Sequence, residues 1–445
     1  MSAIIGNILG YTVFKELVVN MYYSNYSLPT YVTLWNPDAF IKTTIIPVVL
    51  MFVINLLILM RMLRHTPLQF LRCDLKKNKR KKAMRLPKWN FLSRCRLRII
   101  FQNIPNYLIL FVGIAFISIM LAMAIGMPST LQYYKDNTKD MMIADYQYVL
   151  KSYKDETGKE ITTKNSDAEK FSMDSLLYKT DAMDEEVSVY GVEDTSKYIS
   201  LPDAKNLKEK EVYISKPFRD KYDVAVGDTV TLNAKYEKKK YSFKVKGFFE
   251  HSQSIAVFMP IEQYRTAFDK DDDAFDGFFT NTKIKDVKKD YIATVITERE
   301  ITKMSNQLDH TMGSYMLYFQ FLCVVLSAVL IYLLTKIIIE KNEVAISMTK
   351  ILGYTDGEIA KLYLLATTIV VIVCAALSVL VGTLVMRNVW TVMLQSMSGW
   401  FTFIMGPLDY IKMFAFIFVG YLVVMLFDFR RIRKIPLDEA LKRVE

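Results

Sequence analysis

Residues 362 to 386 run for 25 positions without one charged side chain, and this stretch constrains the chain more than anything else in it. In hydrocarbon every backbone polar group must be satisfied within the segment, and a helix of about 20 largely apolar residues covers the thickness of a bilayer. Residues 107 to 127 and 315 to 334 are nearly as clean. Residues 43 to 60 contain Pro47 and Asn55, and residues 410 to 427 carry Lys412 at the edge, but both runs end in arginine-rich sequence suited to a membrane interface. Soluble cores rarely sustain five such runs, so the sequence predicts an α-helical integral membrane protein with about five transmembrane helices.

Charge sets the topology. The chain is 52% hydrophobic yet 23% charged, with a net charge of +11. Residues 128–312 hold 29 Lys and Arg against 34 Asp and Glu, a balance of −5; the remainder, 28 against 12, is +16. A basic excess lying beside apolar runs points to membrane orientation and argues against nucleic acid as a partner. The stretch 61–105 has Asp74 as its only acid among Arg61, Arg64, Arg72, Lys76, Lys77, Lys79, Arg80, Lys81, Lys82, Arg85, Lys88, Arg94, Arg96 and Arg98. It is expected in the cytoplasm. Alternation then puts 128–312 outside, 340–360 inside, 387–408 outside and the tail from Arg430 inside, where Arg431, Arg433 and Lys434 agree.

The four cysteines, Cys73, Cys95, Cys323 and Cys374, all lie outside 128–312, which excludes a disulfide framework there. His65, His251 and His310 show no ligand spacing. Asp271-Asp272-Asp273 with Asp276 lacks the glycine and spaced glutamate of a calcium loop and reads as a solvated acidic loop. No nucleophile stands beside a plausible base, and no G-x-x-x-x-G-K-[ST] phosphate loop occurs. The sequence therefore gives no catalytic residue, no metal site and no cofactor site.

The two ends of the chain resemble each other. Ile5-Gly6-Asn7-Ile8-Leu9 leads through Asn36-Pro37-Asp38 to a span and then Arg61-Met62-Leu63-Arg64-His65-Thr66-Pro67-Leu68. Val381-Gly382-Thr383-Leu384 leads through Gly406-Pro407-Leu408-Asp409 to a span and then Arg430-Arg431-Ile432-Arg433-Lys434-Ile435-Pro436-Leu437. The shared basic run before Pro-Leu favours a true repeat. On that reading residues 1–75 are the remnant of a first unit with one span, and residues 1–20 are the outer end of a helix whose inner part is missing. A basic linker and leading helix (76–105), a span (106–127), the outer domain (128–312) and a three-span unit (313–445) follow.

The outer domain reads as α+β. Strands are expected at 187–192, 211–215, 228–232, 241–248 and 255–258, where β-branched and aromatic residues stand between turn residues. Thr297-Glu298-Arg299-Glu300 has the pattern of a capping box opening a helix that runs on into the span at Tyr315, and the span before Met127 is expected to continue outward for some turns. On the inner side, Lys336 to Tyr354 reads as an amphipathic elbow (340–354), with Val344, Ile351 and Leu352 on one side and Glu340, Glu343, Ser347 and Lys350 more exposed, stopped by Gly353. An elbow with exposed charges suits a cytoplasmic partner; an interfacial helix on membrane lipid is the plainer alternative.

These residues together resemble the FtsX-like, MacB-like permeases of ABC transporters. The resemblance rests on the charged stretch ending in Leu352-Gly353-Tyr354, on Gly227-Asp228-Thr229-Val230-Thr231-Leu232, Phe243-Lys244-Val245-Lys246-Gly247-Phe248 and Met259-Pro260, on the basic helix 92–106, and on Ile435-Pro436-Leu437-Asp438-Glu439-Ala440-Leu441. It covers residues 92–445. It implies a subunit that is not itself an enzyme, sits on a cytoplasmic ABC ATPase that binds the ATP, pairs with a second permease half or a copy of itself, and relays ATP-driven motion to the outer domain. The family's coupling helix falls on 343–353, with Glu343, Lys350, Gly353 and Tyr354 as its contact region. Expected work at the outer face is export or mechanotransmission of peptides, antimicrobials or lipids; the alternative is an FtsX-type regulator of a cell-wall hydrolase.

Overall fold

The computed structural model describes residues 2–25, 29–32, 34, 36–63, 91–180, 182–202, 204, 207–252 and 254–436. Most of the basic linker (64–90, with His65 and Cys73), the side chain of His310 and the final 437–445 lie outside the described residues. The chain divides into two units, Met1–Arg98 and Ile99–Glu445.

In the first unit α1 (Ser2–Leu9), a π-helical turn (Gly10–Phe14) and α2 (Lys15–Asn25) precede α3 (Pro37–Leu63). Asn36 caps α3 by accepting from the Ala39 amide at 3.2 Å. Asn7 joins α1 to α3, donating to Thr44 Oγ1 at 2.6 Å and accepting from Thr43 Oγ1 at 3.0 Å, the kind of polar pairing that holds helices together in hydrocarbon.

The chain then continues through α4 (Phe91–Gln102) and α5 (Ile104–Asp136) into strands β1 (Tyr146–Leu150), β2 (Glu169–Lys179), β3 (Asp184–Val192) and β4 (Glu211–Ser215). Next come α6 (Lys216–Tyr222), β5 (Thr229–Ala234), β6 (Lys240–Phe249), β7 (Ala256–Pro260), α7 (Ile261–Phe268), β8 (Gly277–Thr280) and β9 (Ile292–Thr297). The last four helices are α8 (Glu298–Lys341), α9 (Glu343–Ile351), α10 (Asp356–Gln395) and α11 (Pro407–Lys434).

Among the described residues five helices are long and apolar enough to cross a membrane: α3, α5, α10, α11 and the Tyr315–Lys341 part of α8. The last four pack into a bundle around Leu110, Ile114, Leu121, Ile331, Val371, Met413 and Ile417. Small residues let the backbones approach. A Cβ at Gly382 of α10 would come within 2.7 Å of the Ser118 Cβ and 2.8 Å of its carbonyl carbon on α5.

The strands form one sheet in the order β3-β7-β4-β6-β5-β2-β8-β1-β9. β2 also pairs with β3 over its lower edge from Phe171↔Val192 to Lys179↔Asp184, while its other edge is divided between β5 and β8. This second pairing closes six strands into a barrel, with β8, β1 and β9 as an extension. Inward residues alternate with outward ones: in β6, Phe243 and Val245 join Val187, Val189, Ile214 and Leu232 in the barrel core, while Lys244 and Lys246 face out.

Two continuous helices carry this sheet domain. α5 passes Met127 and reaches Asp136 before β1, and α8 starts directly after β9 and runs unbroken for 44 residues, about 66 Å. Thr297 is the N-cap residue of α8, but its side chain makes no capping hydrogen bond, so the expected capping box does not form. The α10–α11 connection lies along α5. Thr402 N donates to Tyr134 Oη at 2.9 Å, and the Ile404 amide and carbonyl both bond to Thr130 Oγ1.

Candidate functional site

The elbow is built from helix ends. α8 stops at Lys341, where Asn342 leaves helical geometry (φ −103°, ψ 9°) and α9 begins. The last turn of α9 is followed by Gly353 at φ +90°, a left-handed conformation that glycine adopts at little cost, and α10 opens on a reciprocal capping box. In it Glu358 accepts from the Thr355 amide at 2.9 Å while Thr355 Oγ1 accepts from the Glu358 amide. The expected single amphipathic run from Lys336 to Tyr354 is thus two helices separated by a break. Beneath it Ile99, Ile339, Ile346, Ile359, Tyr363 and Ile432 form a small core drawn from five helices.

Lys350 organises this end. The last carbonyls of a helix have no partner within it, and the Lys350 ammonium donates to three at the end of α11, Ile432 O at 3.0 Å, Arg433 O at 3.2 Å and Ile435 O at 3.0 Å. It also pairs with Asp356 in the first turn of α10 at 3.0 Å. A cation at a helix C-terminus also meets the favourable end of its dipole. Ser347, fully buried, donates to Pro436 O at 3.0 Å. Glu340 pairs with Arg431 at 2.7 Å and lies 3.9 Å from Lys336.

The structure reverses one expectation. Ser347 and Lys350, expected on the exposed side, face the core and the end of α11, which offers carbonyls with no partner inside the helix. Ile351 and Leu352, expected on the packed side, are exposed, Leu352 at 72%. Together with Met348 and Tyr354 they form an apolar exposed edge. Glu343 is half-buried at the first turn of α9, and Gly353 is the open turn beside Tyr354. Of the four residues singled out from sequence, Gly353 and Tyr354 lie at this edge, Glu343 starts the helix that carries it, and Lys350 fixes its position. Asp356, Ser347 and the α11 carbonyls were missed. A lysine before a helix-stopping glycine does not announce acceptors that lie more than 80 positions away.

In the sheet domain the acidic run does not converge. Asp271 accepts from Tyr153 Oη at 2.6 Å, whereas Asp276 accepts from the Met173 amide at 2.8 Å and burial raises its carboxyl above the ordinary range. Among the described residues no group of three or more His, Cys, Asp or Glu comes together as a metal site. A cleft of about 290 Å³, lined by Met142, Ile143, Tyr190, Ile296 and Ile301 among others, opens at the roots of α5 and α8.

Two family descriptions match the chain. Residues 106–296 match the MacB-like periplasmic core domain, and residues 317–437 match the FtsX-like permease C-terminal domain. No curated protein matches. Among solved structures, the extracellular domain of the noncanonic ABC-type transporter YknZ from Gram-positive bacteria is similar at 10% identity, covering 38% of this chain and 94% of that one, with a TM-score of 0.22. Fold and matches define a multi-pass α-helical membrane protein whose sheet domain is extracytoplasmic. The chain belongs to the FtsX-like, MacB-like family of ABC transporter permeases.

Proposed function

We propose that this permease relays the motion of a cytoplasmic ABC ATPase to its extracytoplasmic domain, for export or mechanotransmission acting on peptides, antimicrobial compounds or lipids at the outer face. The observation that carries this reading is α8, one uninterrupted helix from β9 to the elbow. A helix cannot shorten along its axis without breaking its hydrogen bonds, so a displacement of the elbow becomes a displacement of the sheet edge. The cleft at the roots of α5 and α8 would change shape with it.

The ATPase would dock on α9 and the turn after it, through Met348, Ile351, Leu352 and Tyr354, with Glu343 and Gly353 shaping the helix and its stop. Lys350 would hold this surface at the end of α11. A second permease half, or a second copy of this chain, would complete the assembly, and ATP would be bound by the partner.

Purification of the native protein from its own membranes tests this. A Walker-motif ATPase is expected to co-purify and to be lost from Leu352→Asp and Tyr354→Asp variants that insert normally. Absence of an ATPase under conditions that preserve other transporters, or its retention by both variants, overturns the docking surface.

A further inference from the structure

The loop between α10 and α11 does more than reverse the chain. Glu185 at the start of β3 and Lys221 at the end of α6 form a buried ion pair, with side chains 1% and 0% exposed. Burying such a pair is unfavourable unless the remaining donors and acceptors are met, and here the loop meets them. The Lys221 ammonium has three N–H donors. They reach Glu185, Met397 O at 2.7 Å and Gly399 O at 3.2 Å. The Glu185 carboxylate takes four bonds, from Lys221 and Tyr222 Oη (3.0 Å) on one oxygen and from Ser398 Oγ (3.1 Å) and Gly399 N (2.9 Å) on the other.

Four of these bonds cross from the sheet domain to three consecutive loop residues. The loop turns both its carbonyls toward the cation and both its donors toward the anion. Gly399, at φ +84°, makes that turn possible. Trp400 follows and packs against both the barrel core and the bundle core.

We propose that Glu185 and Lys221 are positioning residues that clasp the 397–399 loop by its polarity and lock the sheet domain to the α10–α11 hairpin. α10 then becomes a second rod of about 60 Å, beside α8, between elbow and sheet domain. It starts at Asp356, which Lys350 holds, and ends at Gln395, with Ser396 alone between it and the loop. The sheet domain is held at two places, at its β1–β9 edge by α5 and α8 and at the barrel end by α10, so sliding of α10 against the other two would turn it. The clasp does not depend on the ATPase reading; what passes through it does.

The test uses the full chain in nanodiscs without nucleotide, so it stands apart from that reading. Spin labels at Tyr236 in the β5–β6 hairpin, 95% exposed, and at Val392 near the outer end of α10, 67% exposed, are attached in a background whose four native cysteines are replaced. Hydrogen exchange follows residues 397–402. The unsubstituted pair is expected to give one narrow distance and slow exchange. Lys221→Met is expected to broaden the distance and speed loop exchange at least tenfold.

The charge swap Glu185→Lys with Lys221→Glu separates a clasp from a simple salt bridge, since it keeps an ion pair but turns a cation toward the loop donors and an anion toward its carbonyls. It is expected to free the loop while peptides of β5 and β6 stay protected. Gly399→Val, which acts on the loop alone, is expected to do the same. A narrow distance and slow exchange in all three variants, or recovery of both by the swap, overturns the clasp.

Discussion

The two ends of α10 are each held by a lysine, one half-buried and one fully buried, and the two work differently. At the inner end Lys350 sits 9% exposed on two carbonyls of α11 and that of Ile435 just after it, with Asp356 beside it, a charge on a helix terminus at the rim of the protein. At the outer end Lys221 is fully enclosed and its anion is equally enclosed, so neither has water to fall back on. A rim cation can be lost and its carbonyls rehydrated, whereas an enclosed pair leaves an uncompensated charge when one member goes. The inner joint can therefore yield and re-form, and the outer one holds or fails outright. That division suits a rod moved at one end and rigidly attached at the other.

The largest expected effect breaks the outer joint. Lys221→Met should lower the stability of the sheet domain by about 3–5 kcal/mol, read as the denaturant midpoint of the purified protein, while Lys350→Met should cost about 1–2 kcal/mol. Lys350→Arg should stay within about 1 kcal/mol of the parent, because the rim leaves room for the larger head. Lys221→Arg should cost about 1–3 kcal/mol by overpacking a closed site. Equal losses at the two ends would erase the distinction.

A second prediction concerns the rod between the joints. Gly382→Val places its side chain against the Ser118 backbone and should push α10 from α5, with a loss of about 1–3 kcal/mol in the same measurement. Tolerance of valine there would mean that the bundle gives easily and that α10 is no rigid link.

The smallest effect lies in the sheet domain alone. Asp286 accepts from Lys164 N at 2.6 Å and Thr163 Oγ1 at 2.8 Å, and these bonds hold its carboxyl below the ordinary value of 3.8. A carboxyl lowered in the folded state stabilises above its unfolded value and loses that contribution as pH falls through the folded one. Asp276, raised by burial, acts in the opposite sense: its contribution is present below its unfolded value and is lost as pH rises through the folded one. Stability measured from pH 5 down to pH 2 should therefore fall less steeply in Asp286→Asn than in the parent, whereas an unchanged slope would mean these bonds persist on protonation.

Much of this architecture is legible in the residues. The five spans follow from hydropathy, and the strands around Val187, Val212, Val230, Phe243 and Val257 follow from their β-branched and aromatic content. β2 was missed because Lys170, Asp174 and Lys179 interrupt its apolar residues, and its double duty between β3 and β5 exists only once the barrel closes. β1, β8 and β9 are short, and they pair mainly with one another at the sheet edge. The elbow was found by its glycine and Glu340 is exposed as expected, yet Ser347, Lys350, Ile351 and Leu352 lie on the opposite side from the one expected. Periodicity alone cannot show that Lys350 has carbonyls to satisfy. The clasp left no local signal at all, because Glu185, Lys221 and Gly399 meet only in three dimensions.

The most direct measurement follows the distance between labels at positions 236 and 392 in the permease reconstituted together with the ATPase proposed to dock at the elbow, before and after ATP. An ATP-dependent change is expected that disappears in Leu352→Asp, as it should if the motion enters at the elbow, and becomes a broad, nucleotide-independent distribution in Lys221→Met. A distance that ignores ATP, or one that still responds when the elbow edge is altered, would contradict the relay.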